Sequence, residues 1–252
     1  MTVKDLYERL NIYFPPALSL DWDRDGLMVC PDPVRRVRRV LLTLDVTPAA
    51  AEAAIQAGAD LVISHHPLLF RPIGTLSMED PGARTALRLA HAGISVACFH
   101  TRADAAHDGV SDLLAASIGL SNVETVGEER LLRVGTLRAP MTGEALARHV
   151  KEALGTPAVT LADADKPIRW VAVSGGEGKD LIGLARANGA DAYVSGRFGY
   201  HVMQDGAAAG LTLVEAGHYY TEVGILGRMK QLVTEATDAE VIVRAESPIQ
   251  VF

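Results

Sequence analysis

The chain repeats itself, and that repeat limits the folds open to it. RRVLLTLDVTPAAAEAAIQAGADLVISHH, beginning at Arg38, resembles IRWVAVSGGEGKDLIGLARANGADAYVSGR, beginning at Ile168. Each reads as an apolar strand, a turn marked by proline or glycine, an alanine-rich helix, Gly-Ala-Asp and a second strand. The resemblance continues, since AGISVACFHTRAD (92–104) parallels AGLTLVEAGHYYTE (209–222). Both segments end a strand in a histidine followed four residues later by a carboxylate, His100 with Asp104 and His218 with Glu222. Short unbroken apolar runs alternating with helices predict buried parallel strands. We therefore expect an α/β fold made of a duplicated α/β unit. The two similar domains would span 1–126 and 127–252, divided where the polar bridge from Ser121 leads into the strand LLRVGTL. Matching strand ends of the two copies could then serve one shared cleft.

The chemistry concentrates at LVISHHPLLF, residues 61–70. Leu61, Val62 and Ile63 form the strand, His65 and His66 follow its end, and Pro67 stops it from continuing. Ligands of open α/β sheets collect beyond the carboxyl ends of the strands, and imidazole is a common ligand for divalent transition metals. The plainer reading caps the strand with one histidine and leaves the other in water. Asp104, His218 and Glu222 supply what a pair of histidines lacks. Three histidines and two carboxylates exceed one tetrahedral site and suit two bridged divalent ions. With no thiolate among them, Zn, Fe, Mn and Ni all fit.

Other residues carry weaker signals. Asp45 ends the strand from Arg38 and could orient a histidine ligand or merely cap the helix that Thr47-Pro48 opens. Trp22 and Asp23 sit in DWDRDG, which reads first as a turn entering a strand and only weakly as placing either residue beside the site. SGGEGKDLI could cradle a phosphate, but it lacks the P-loop spacing and reads first as a tight turn. At the place of His65-His66 the second copy has Gly196 and Arg197, with His201 following. Ser111 is a candidate N-cap, and His91, His107 and His149 read as structural or exposed.

Composition excludes several classes. A net charge of −7 argues against general affinity for a nucleic acid backbone, and Arg35, Arg36, Arg38 and Arg39 read as flanking a strand. Two cysteines, each in an apolar run, make no disulfide framework. No apolar run reaches the roughly 20 residues that span a bilayer, and MTVKDLYERL is charged rather than a secretory leader. A soluble cytoplasmic protein is expected.

SHHPLLF, HTRAD and GHYYTE resemble the signatures of the Nif-three-like dinuclear-metal family, whose bacterial members are named GTP cyclohydrolase I type 2 homologues. The resemblance runs from WDRDGL to the terminal strand. It implies two similar α/β domains with the metals between them, and His65, His66, Asp104, His218 and Glu222 as the ligands. His100 and Asp45 would touch the metals or stand next to a ligand. It also implies a homo-oligomer, a hexameric toroid built of dimers, in its short form. Two places depart from the family pattern: Arg102 stands where an asparagine is usual, and an acidic residue is common near Arg197.

The expected function is a dinuclear metal-dependent hydrolase acting on a nucleotide-like or phosphorylated small molecule, with a metal-bridging hydroxide as nucleophile. His100 or His201 would shuttle a proton. Arg102 and Arg197 would hold the anionic part of the substrate. The alternative is a non-enzymatic protein that stores or delivers a metal, or docks a partner.

Overall fold

The computed structural model describes residues 1–247, 249 and 250. Two compact units are present, one from Met1–Ala106 with Ile225–Glu246 and one around His107–Gly224. The chain begins in the first with helix α1 (Val3–Asn11), capped by a reciprocal pair in which Thr2 and Asp5 each bond the other's backbone N–H. Strands β1 (Gly26–Val29), β2 (Arg39–Thr43), β3 (Leu61–Ser64) and β4 (Ser95–Cys98) follow. Helix α2 (Pro48–Ala57) links β2 to β3, α3 (Pro81–His91) links β3 to β4, and the short α4 (Thr101–Ala105) comes directly after β4. Helix α2 opens at Thr47-Pro48 as expected, with Thr47 as its N-cap, and Gly58 ends it in the left-handed conformation at φ 62°.

The second unit opens with α5 (Val110–Ile118), β5 (Ser121–Val126) and β6 (Leu132–Met141). Then come α6 (Gly143–Leu154), β7 (Thr160–Ala162), β8 (Ile168–Val173), α7 (Ile182–Ala187) and β9 (Ala192–Ser195). Helix α8 (Tyr200–Ala208), β10 (Thr212–Glu215) and α9 (His218–Glu222) complete it. The chain then returns to the first unit with α10 (Ile225–Ala236), which packs on α1, and β11 (Glu240–Arg244).

The first sheet has the order β1-β4-β3-β2-β11, with β1 antiparallel at one edge and the other four strands parallel. The second has the order β5-β6-β8-β9-β10-β7, with β8, β9 and β10 parallel at its centre. Alternate residues of these central strands feed two cores, as the pleat requires. Val171, Val173, Val194 and Val214 enter one core, while Ala172, Tyr193 and Leu213 enter the other.

The boundary differs from the one read from the sequence. Helix α5 lies before residue 126, yet Leu114, Ala115 and Ile118 are buried with Leu137, Leu146 and Val150 of the second unit. The terminal strand lies after it, yet β11 pairs in parallel with β2 of the first. Each segment goes where its apolar face is covered. Ser111 is no cap either: Gly109 holds that place, and the buried Ser111 hydroxyl donates to Leu131 O.

The duplication is real, with β2-α2-β3-α3-β4-α4 matching β8-α7-β9-α8-β10-α9. Its register corrects one pairing made from the sequence. Leu61 lies opposite both Val40 and Ser95, and Ala192 opposite both Val171 and Thr212. Counting on from those strands, Gly217 matches His100 and Thr221 matches Asp104. The second copy reaches His218 and Glu222 one residue later.

Candidate metal centre

Parallel pairing of β2, β3 and β4 brings their carboxyl ends to one edge, which is where Asp45, His65-His66 and His100 follow. Each histidine has its Nδ1 engaged by an acceptor that has no proton to give. His65 Nδ1 donates to Phe99 O at 2.9 Å, and His66 Nδ1 to Asp45 Oδ1 at 2.8 Å. His100 Nδ1 donates to Asp23 Oδ1 at 2.9 Å. A neutral imidazole that donates through Nδ1 keeps a lone pair on Nε2. The ring centroids lie 4.9, 5.4 and 5.6 Å apart, and the ligand-capable atoms of the three residues are within 4.8 Å of one another. Asp104, on α4, brings Oδ1 to 3.5 Å from His65 Nε2. Three imidazole lone pairs and a carboxylate converging this way fit a divalent transition ion, and the carboxylate or carbonyl behind each imidazole is the usual support of a histidine ligand.

Asp23 is the residue the sequence undervalued. Its side chain is fully buried and also accepts from Thr101 N–H and Oγ1, at 3.0 and 2.7 Å. Burial on its own would raise this carboxyl. The bonds from His100 and Thr101 outweigh burial and hold it well below the usual carboxylate range. Asp45 likewise backs an imidazole, that of His66, and does not act as a cap, since Thr47 fills that role.

Arg102 does not face a substrate. It is 1% exposed, and its guanidinium donates to Asp25 Oδ2, Asn11 Oδ1, Phe14 O, Tyr7 Oη and Cys98 O. It also lies over the Phe99 ring at 4.6 Å. Residues two apart on a helix point to opposite sides, so Arg102 turns into the core when Asp104 turns to the histidines. The anion-binding role expected for Arg102 is therefore withdrawn; it ties α1 and β1 to α4.

In the second unit the donors come from the helix, and the strand ends give way to them. His218 and Glu222, four apart on α9, share a face with Nε2 and Oε2 at 3.1 Å. Glu222 is 4% exposed. A Cβ on Gly176, at φ 62°, would lie 2.4 Å from Glu222 Oε1, and one on Gly196 would lie 2.6 Å from the His218 Cα. Only glycine admits α9 so closely. The turn SGGEGKD is therefore built for close approach. Beneath it the Ser174 hydroxyl bonds Tyr193 Oη at 2.6 Å, and burial pushes the Tyr193 phenol up.

His201 stands exposed on α8 beside the Tyr200 ring and belongs to neither donor group. Arg197 is exposed and borders a hollow of about 430 Å³ with Tyr200, Met203 and Glu215. His149 is structural, its Nε2 bonded to Ile118 O at 2.7 Å. No helix among the described residues is long and apolar enough to cross a membrane.

A family profile described as Duf34/NIF3 (NGG1p interacting factor 3) matches residues 1–248. A Schizosaccharomyces pombe protein named Protein NIF3 homolog is 33% identical, with 91% of this chain and 90% of that one covered. A Lactococcus lactis protein named GTP cyclohydrolase 1 type 2 homolog is 32% identical over 87% of this chain and 86% of its own. In structure, a Bacillus cereus protein related to NIF3 matches with TM-score 0.90 at 22% identity, covering 100% of this chain and 99% of that one.

Proposed function

The chain belongs to the DUF34/NIF3 family, and from that premise we propose that it is a dinuclear metal-dependent hydrolase acting on a nucleotide-like or phosphorylated small molecule. His65, His66, Asp104, His218 and Glu222 hold the two divalent ions. The observation that carries this reading is the pair His65 and His66, each with its Nδ1 against an acceptor, with the His100 imidazole beside them and ligand-capable atoms of the three within 4.8 Å of one another. Bound ions of this kind supply an activated water and polarise the bond it attacks. The chain's own part is to orient and to move a proton. His100, its tautomer fixed by ionised Asp23, takes the proton at Nε2. Arg197 receives an anionic group. The relatives' name, GTP cyclohydrolase 1 type 2 homolog, favours attack on a purine ring as one version of the reaction.

The test is elemental analysis of the reconstituted protein, followed by a hydrolysis screen over nucleotides and phosphoesters. About two ions per chain with turnover supports the proposal. Trace metal after reconstitution removes it, and bound metal without turnover leaves a non-enzymatic protein that stores or delivers a metal, or docks a partner. We propose further that the protein works as a cytoplasmic homohexamer. Sedimentation as a stable monomer at micromolar concentration would remove the assembly.

A further inference from the structure

Two aromatic rings stand beside the histidine cluster with most of their edges in water. Trp22 is 54% exposed and Phe70 is 51% exposed. Their centroids lie 6.1 Å apart at an interplanar angle of 66°, and each is 6.2 Å from the His100 ring. Trp22 is anchored by its neighbour Asp23, whose buried carboxylate grips His100 and Thr101. Phe70 comes from the same segment as the paired histidines. Both rings thus stand 6.2 Å from the His100 ring, on segments that also carry residues of the site. The chain next presents a cation at each place: Arg24 follows Asp23, Arg71 follows Phe70, and both are exposed with no side-chain ion pair among the described residues.

Core packing does not explain this arrangement, because the rings leave half their surface uncovered. Aromatic faces beside basic groups suit a ligand with a planar ring and an anionic group, since stacking accepts any π-face and guanidinium accepts phosphate or carboxylate. On the hydrolase reading above, we propose that Trp22 and Phe70 are the specificity-determining residues. They receive the planar ring of an anionic substrate and set it against His100. A substrate without a ring would forfeit this contact.

The chain has two tryptophans, so Trp170→Phe leaves Trp22 as the sole reporter. The metal-reconstituted variant is titrated with guanosine 5′-monophosphate and with ribose 5-phosphate, which share the phosphate and differ in the ring. We expect the ring-bearing probe to quench Trp22 and bind about tenfold more tightly, and Phe70→Ala or Trp22→Ala to abolish that preference with metal content unchanged. Calorimetry replaces fluorescence for Trp22→Ala, and Trp22→Phe should restore the preference. Equal affinity for the two probes, or binding of neither, overturns the proposal. A preference that survives both alanine variants overturns it too. So does a blue, iodide-inaccessible Trp22 emission, which would mean that a second copy of the chain covers the rings. Ring-selective binding with no turnover of any nucleotide would instead overturn the hydrolase reading and leave the ring site standing.

Discussion

In the first unit Asp60 closes the sequence Gly-Ala-Asp and accepts the N–H groups of Arg38 and Arg39 at 2.8 and 3.2 Å. In the second, Asp191 closes the same sequence and accepts those of Arg169 and Trp170 at 2.9 and 2.8 Å. The glycines before them, Gly58 and Gly189, both turn the chain at positive φ, 62° and 75°. Beyond the next strand the copies part company, with His65-His66 in one and Gly196-Arg197 in the other. Where a helix must stop and a strand must start, both copies obey one requirement and keep the same residues. At the strand ends the backbone is already satisfied, and the two sequences were free to take opposite tasks. One end carries imidazoles just past its strands, and the other places glycine at 176 and 196 so that α9 can bring His218 and Glu222 in close.

The largest effect expected from disturbing either side belongs to Arg102, which only the imidazole-bearing copy contains. Arg102→Gln leaves Asp25 buried with its charge partner removed, and breaking such a pair costs about 3 to 5 kcal/mol. Urea unfolding should record that loss. An Arg102→Gln protein of ordinary stability would show that the guanidinium does not hold α1 and β1 to α4. Next come the divergent strand ends themselves. His66→Ala should weaken metal retention by more than about tenfold, the lower end of what losing even a ligand's support costs, with the circular dichroism unchanged. Arg197→Ala, at the matched position, should leave metal content as it was. Equal metal loss in both variants would break the comparison.

The sequence revealed the repeated unit, the opening of α2 at Thr47-Pro48 and the lodging of both histidine groups just past a strand or turn. Those features depend on neighbours in the chain or on hydrophobic period. Three others depended on partners far away or on direction. Asp23 meets His100 across 77 positions, and nothing local to DWDRDG announces it. Arg102 sits between His100 and Asp104 in sequence, but helical rotation sends it the other way. The match of His100 to His218 looked natural as letters and slips by one residue once strand pairing sets the register. The interleaving of the units was equally hidden, because β11 finds its place only by pairing with β2.

The conserved side of the comparison has its own test. Asp60 also binds Arg35 Nε at 2.7 Å, a charged partner in addition to its two N–H donors. Burial raises the Asp60 carboxyl, while the Arg38 N–H, Arg35 and the Arg39 N–H together lower it further, so the net shift is downward. A folded-state value below the unfolded one means stability that is complete above about pH 4 and is lost as pH falls through the folded value. Asp60→Asn should therefore cost about 1.5 to 3 kcal/mol at neutral pH, the range for hydrogen bonds to a charged group. The gap to the parent protein should close as the unfolding measurements are carried below pH 4. A gap that stays constant with pH would assign the effect to geometry and not to the ionised carboxylate. Asp191→Asn should cost less, because Asp191 bonds two backbone N–H groups and no arginine side chain among the described residues.

The smallest effect concerns Arg197, which the sequence treated as a twin of Arg102. Arg197 keeps its side chain exposed and gives only its backbone to the fold, its N–H donating to Gly176 O at 3.0 Å and its carbonyl accepting from Gly178 at 2.9 Å. The turn after it is pinned independently, since Glu215 Oε2 accepts the Phe198 N–H at 2.8 Å. Replacing the guanidinium therefore disturbs no packing, and Arg197→Gln should leave both the unfolding midpoint and the metal content unchanged. What it should alter is affinity for inorganic phosphate, by about 1.4- to fivefold, in keeping with the roughly 0.2 to 1 kcal/mol typical of an exposed ion pair. The effect should shrink as salt screens the charge, so titrations at about 0.05 M and 0.5 M salt separate a charge contact from a shape change. Phosphate affinity equal to that of the parent at low salt would deny Arg197 any anion-binding part. The second copy's strand end would then serve only to make room for α9.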